Sequence, residues 1–199
     1  KEMGANVVRL AMEDAGYGGE ALVGSKTGVF VGKDHSFDVL YKYITPPGQM
    51  NLTGSWTGLL ANRLSYIFNL TGPAMVIDTA CSSGAVAIHQ ACIALKNGEC
   101  TSAIAGGIHL ITKSWMDNNQ SDLALFESPE GMLRAFDKDS NGTIGGEGVA
   151  ALMLKPLDKA LEERDHIHGV ILSSAINNDG ESNGITSPNA EAQKELLIN

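Results

Sequence analysis

The feature that most constrains this chain is a series of short apolar runs with no polar residue between the apolar ones. They are the Val29–Val31 run within "KTGVFVGK", the strand pattern at 74–79, "TSAIAGGIHLIT", the start of "VAALMLKPLDKALEERD", and "IHGVILSSAINND". A strand with one wet face alternates apolar and polar residues; a strand without that alternation is buried on both faces. Helical patterns separate the runs: positions 1–15, with Val7, Leu10, Ala11 and Asp14 in phase; Trp56, Leu59, Leu60, Leu64 and Ile67; about 82–96; and a short helix from near Pro156. Strands covered on both sides by helices predict a layered α/β fold with largely parallel strands. Punctuation falls at Gly16–Gly19, Pro46-Pro47-Gly48, 69–73 and Asn97-Gly98.

Composition excludes several classes of function. Of 199 residues, 43% are hydrophobic, enough for a sizeable core, and the formal charge of −9 disfavours a nucleic-acid-binding face. No apolar stretch approaches a membrane span and no leader pattern opens the chain. Cys81, Cys92 and Cys100 are odd in number and lack paired C-x-x-C spacing, which points away from a disulfide framework and towards a reducing cytoplasm. The chain begins inside a helical pattern and ends after Ser187-Pro188, read as a helix start, with no stop signal. It is therefore expected to be a piece of a longer protein.

"VIDTACSSGAVAIHQ" (76–90) places a cysteine between a strand and a helix, among small residues. The following helix is expected to pack through Ala85, Ile88, Cys92 and Leu95. Cys81 then stands at the carboxyl end of a parallel strand, where such folds hold their chemistry. The helix start favours a thiolate and a nearby oxyanion. The geometry resembles a nucleophile elbow without its G-x-S-x-G signature; a buried filler cysteine is the competing reading.

"GPAMVIDTACSSGAVAIHQACIALKNGECTSAIAGGIHLI" resembles the active-site region of β-ketoacyl synthases, in particular the ketosynthase domains of modular polyketide synthases. "LAMEDAGY", "TGVFVG", "LLANRLSYIFNLTGPA", "RAFDKDSNGTIGGEGVAALMLKPLDKALEERDHIHGVI" and "NNDGESNGITSPN" resemble that family's segments, in its order. Gly84 stands where the family has serine. The resemblance implies a thiolase-like α-β-α-β-α layered fold, of which residues 1–199 supply one incomplete domain. About 1–165 would form most of its N-terminal half and about 166–199 the start of its C-terminal half. It implies that Cys81 takes an acyl group from the phosphopantetheine thiol of an acyl carrier protein. Decarboxylative condensation with a malonyl-type extender follows, with no metal or redox cofactor. It also implies a homodimer within a multidomain synthase, with the strand ending at Cys81 pairing across the two-fold and the 56–68 helix near that interface. Thr186 would lie near the mouth of the pantetheine channel, although Ser187 before Pro188 also reads as a helix cap.

The family's two downstream histidine motifs, of HGTGT and N-x-G-H type, and the glycine-rich turn that completes its oxyanion hole do not occur in these residues. The resemblance therefore implies that the 199 residues alone do not condense. A non-elongating ketosynthase and a fatty-acid-type synthase are the alternatives. Five histidines are present. His89 is eight residues along the helix, roughly 12 Å of rise from Cys81. His109, late on the next strand, is placed to approach the site but reads as structural, because the resemblance expects a non-histidine there. His35, His166 and His168 read as surface residues. "DKDSNGTIGGEG" imitates a calcium loop at Asp137, Asp139, Asn141, Gly142 and Ile144. Its twelfth position is Gly148, however, with Glu147 one place early, so a turn before a strand is expected and no calcium.

Overall fold

The computed structural model describes residues 2–33, 56–110 and 127–198. The expectations for His35 and the turn at 46–48 lie outside these. One sheet of four strands is present among them: β1 (Thr27–Gly32), β2 (Ala74–Ile77), β3 (Ser102–His109) and β4 (Gly148–Leu154), in the order β2-β1-β3-β4. β1 runs parallel to both neighbours, with Val29 opposite Ala74 and Ile104. β4 departs from the expected direction: it is antiparallel to β3, with Ala103 opposite Leu154 and His109 opposite Gly148.

Successive β1 residues face opposite layers, as two-sided burial requires. Val29 packs with Val8 and Met12 of α1 (Glu2–Asp14), with Ala61 and Leu64 of α2 (Leu60–Phe68), and with Ile104. Phe30 packs on the other side with Ala87, Ala91 and Ala94 of α3 (Ser83–Lys96) and with Cys100. α1 and α2 therefore cover one face and α3 the other.

Two expected helix faces are rotated. α1 buries Val8 and Met12 and leaves Leu10 54% exposed, because the stripe Ala5–Val8–Met12 is the one that meets the sheet. α3 buries three alanines; Ala85 is exposed, while Ile88 and Leu95 flank the contact. Small side chains let the helix sit close to glycine-bearing strands. At Gly32 an added Cβ would lie 2.4 Å from the Ser83 carbonyl carbon and 2.5 Å from Gly84 N. α2 ends at Asn69 in the left-handed conformation (φ 50°).

The expected strand over "IHGVILSSAINND" is not formed. A strand requires a partner ladder, and this segment instead runs past α3 and α5 (Ala190–Ile198), with Leu172 92% exposed. Ser174 Oγ lies 3.0 Å from His89 Nδ1 of α3, and Asn177 donates to Ala192 O of α5 at 2.6 Å. The expected cap is also displaced. Asn189 Oδ1, not Ser187, accepts the amides of Glu191 (3.1 Å) and Ala192 (3.4 Å).

A polar cluster ties the end of α1 to α4 (Leu157–Glu163). Lys155 Nζ reaches Tyr17 Oη (2.5 Å), Glu163 Oε2 (2.6 Å) and Asp165 Oδ2 (2.8 Å), and Tyr17 donates to Asp165 Oδ1 at 2.8 Å. The hydrogen bond from Lys155 holds the Asp165 carboxyl below its usual range. Burial opposes the Lys155 charge, but hydrogen bonds to Asp165, Glu163 and Tyr17 outweigh it and hold the ammonium above its usual range. Burial pushes the Tyr17 hydroxyl up. A depressed carboxyl stabilises the fold above its unfolded value and loses that contribution as pH falls through the folded one; a raised ammonium contributes below its unfolded value and loses it at high pH. The cluster is thus fully effective between about pH 4 and pH 10.

Two outcomes are expected. Asp165→Asn lowers stability by about 1–2 kcal/mol near neutral pH, between the exposed and fully buried cases. Wild type and variant converge as pH falls through the depressed value of the folded carboxyl, which melts at several acidic pH values will read. Gly32→Ala, whose Cβ meets backbone rather than a flexible side chain, destabilises by about 2–3 kcal/mol or prevents folding; a wild-type melting temperature would contradict the close seat of α3.

Candidate active site

β2 ends at Ile77, and the chain crosses the carboxyl end of the sheet in a tight turn before α3 begins at Ser83. Ala80 has φ +54°, and Ala80–Ser82 form a single 3-10 turn. Side chains hold the crossing at each step. Ala80 N donates to Asp78 Oδ1 (3.1 Å), and Thr79 N donates to Ser83 Oγ (2.8 Å). Ser83 Oγ in turn donates to Ala80 O (2.7 Å). Ser82 Oγ lies 2.8 Å from both Thr79 O and Thr79 Oγ1. Cys81 sits in the middle of this turn and is exposed. The polar residues around it were visible in the sequence as small; that their hydroxyls pin the turn was not.

Gly84, where the resemblance expects serine, has room for one: an added Cβ would lie 3.9 Å from Gly107 Cα. The other two cysteines differ from Cys81 in setting. Cys92 is half-buried and Cys100 buried, and burial pushes both thiols up.

A cavity of about 890 Å³ opens beside the turn, between the first half of α3 and residues 174–187. Ser82, Ala85, Val86 and His89 form its α3 wall; Asn177, Asp179, Ile185 and Ser187 are among those opposite. Thr186 is exposed, and its two neighbours line the cavity. The sequence reading missed the Asn177–Glu181 stretch of this wall; its "NNDG" run signals a turn but not what the turn faces.

His109 ends β3, two residues beyond Gly107, whose backbone is close to Gly84 at the start of α3. His168 Nε2 lies 2.7 Å from Asp14 Oδ2 with His166 edge-on to it, both rings at the far end of α1. The calcium-like segment is a turn: Asn141 Oδ1 accepts from Ser128 Oγ (2.8 Å), Asp137 Oδ1 accepts from Asp139 N (2.8 Å), and β4 follows.

Residues 1–160 match the family model of the β-ketoacyl synthase N-terminal domain. The chain belongs to the β-ketoacyl synthase family. It is 45% identical over 187 residues to polyketide synthase PksM of Bacillus subtilis, covering 94% of this chain and 4% of that protein. It is 47% identical over 190 residues to the hybrid PKS-NRPS synthetase apdA of Emericella nidulans, covering 94% and 5%. Among solved structures it superimposes on the ketosynthase from module 6 of the Bacillus subtilis bacillaene synthase. The TM-score there is 0.83 and the identity 40%, over 98% of this chain and 33% of that one. The fold is therefore thiolase-like, and the chain spans about a third of that ketosynthase and a twentieth or less of the two synthases. No helix among the described residues is long and apolar enough to cross a membrane.

In the folded protein, iodoacetamide at neutral pH is expected to label Cys81 well ahead of Cys92 and Cys100, because burial withholds both access and thiolate from the latter two. Equal labelling by peptide mapping would remove the basis for treating Cys81 differently.

Proposed function

We propose that this chain is part of a ketosynthase domain of a modular polyketide synthase, and that Cys81 is its acyl acceptor. The observation that carries the reading is an exposed cysteine in a side-chain-pinned turn at the carboxyl end of a strand, within a β-ketoacyl synthase sequence. The Cys81 thiolate attacks the thioester carbonyl of an acyl chain borne on the phosphopantetheine of an acyl carrier protein. The carbonyl π electrons move onto oxygen; collapse of the tetrahedral intermediate expels the pantetheine thiolate, which takes up a proton, and leaves the acyl group on Cys81. A malonyl-type extender then loses CO2, its carbanion attacks the new thioester, and Cys81 is released as the thiolate. The second stage calls for the family's two histidines, whose motifs do not occur in these residues.

Several parts of the proposal rest on the family resemblance. Residues 1–165 belong to the N-terminal half of the domain and 166–199 to the second. The domain works as a homodimer, beside other domains of a multidomain synthase, with a carrier protein rather than nucleic acid or membrane as partner. Thr186, next to two cavity-lining residues, contacts the pantetheine arm. A reducing, cytoplasmic setting belongs to the same reading, because the acceptor must remain a free thiol. A non-elongating ketosynthase would share the first stage only, and acylation without condensation would identify it.

The test incubates the intact ketosynthase with acyl- and malonyl-loaded carrier proteins and follows protein and product masses. An acyl adduct on Cys81 and its loss in Cys81→Ala are expected. Residues 1–199 alone retain one oxyanion donor of two, a loss of about 10²–10³ in rate, and lack the acid–base groups, worth roughly another 10²–10⁴. Slow acylation and no condensation are expected of them. β-Ketoacyl product from residues 1–199, above a Cys81→Ala control, would make His109 the first suspect.

A further inference from the structure

The turn that carries Cys81 depends on a residue with no chemistry of its own in the proposed reaction. Ser83 is 4% exposed, and its hydroxyl is committed at both ends, accepting from Thr79 N at 2.8 Å and donating to Ala80 O at 2.7 Å. These bonds bracket Ala80, whose φ of +54° an alanine adopts only at a steric cost. Among the described residues, Asn69, Phe136 and Arg164 also have positive φ; Asn69 and Arg164 terminate helices, where that conformation is a common ending, and Phe136 lies in a turn. Ala80 stands ahead of a helix, next to Cys81, and no such ending accounts for it. The Ser83 backbone is itself seated on β1, because Gly32 leaves no space between them. A fixed post with a buried hydroxyl is thus bonded to both sides of the strained residue.

We propose that Ser83 is a positioning residue for Cys81: its hydroxyl, seated on β1 at Gly32, holds Ala80 in the left-handed region and so sets how the Cys81 thiol and N–H leave the turn. This rests on the reading of Cys81 as the acyl acceptor. A misdirected thiol still binds nothing differently, so the effect falls on the chemical step and not on recognition of the carrier.

The experiment compares wild type, Ser83→Ala, Ala80→Gly and the double variant of the intact ketosynthase. It reads melting temperature, iodoacetamide labelling of Cys81, and kcat and KM for acyl transfer from an acyl carrier protein. Ser83→Ala is expected to lower kcat and Cys81 labelling by about ten- to a hundredfold with KM unchanged. Ala80→Gly in the same chain is expected to restore most of that loss, since glycine takes positive φ without steric cost. A Ser83→Ala variant that melts lower but labels and turns over like wild type would overturn the inference, as would a double variant no faster than Ser83→Ala. If Ser83→Ala does not fold, a folded and reactive double variant supports the inference, and failure of both to fold assigns Ser83 to the fold alone. Slow labelling of Cys81 in the wild type sinks the acceptor reading itself, whatever the variants do.

Discussion

The contact on which the structure depends is backbone against backbone, where the end of β1 meets the start of α3. Gly32 lies so close to Ser83 and Gly84 that no side chain fits between them. The same economy recurs at Gly106, where a Cβ would lie 2.0 Å from Ala150 O, and at Gly72, 2.5 Å from the Thr27 carbonyl. Alanines at 87, 91 and 94 continue the close approach along α3. With the helix start fixed over the carboxyl end of the sheet, residues 78–82 have one short path from β2 to α3, and the cysteine lies on it.

This seat explains why a four-residue strand at the sheet edge suffices to place a reactive group. β2 is only partly buried, and among the described residues its one neighbouring strand is β1. An edge strand is ordinarily a weak support. Here the rigidity of the turn comes from the other side, through the Ser83, Asp78 and Ser82 side chains, which bond successive backbone groups, with the Thr79 hydroxyl paired to that of Ser82. The Tyr17–Lys155–Asp165 cluster has a comparable role on the opposite face, fastening the end of α1 to the turn after α4.

What could be read from the sequence followed from how local each signal is. The apolar runs located β1 to β4, and the small residues around Cys81 located the turn, because both depend on neighbours along the chain. The helix faces were rotated because the longest apolar side chains are the intuitive choice for a core, whereas close contact with glycine-bearing strands selects Ala87, Ala91 and Ala94. The direction of β4 and the absence of a strand at 167–179 depend on which edge is available, and an apolar run does not record that. Ser187-Pro188 looked like a helix start by residue type; Asn189 does the capping because its side chain reaches the amides at 191 and 192.

Magnitudes decide what makes one cysteine of three the acceptor. A helix start stabilises a nearby negative charge by about 0.3–1 kcal/mol at exposed sites, less than a tenfold effect in rate. Burial separates Cys92 and Cys100 from Cys81 in access, which selects a thiol for reagents but does not accelerate acyl transfer. A correctly aimed backbone N–H at a forming oxyanion is worth about 10²–10³ in rate, well beyond the helix-start effect. In the proposed reaction, then, the left-handed Ala80 and the hydroxyl that holds it weigh more than the field of the helix, because they govern direction and the field governs only charge.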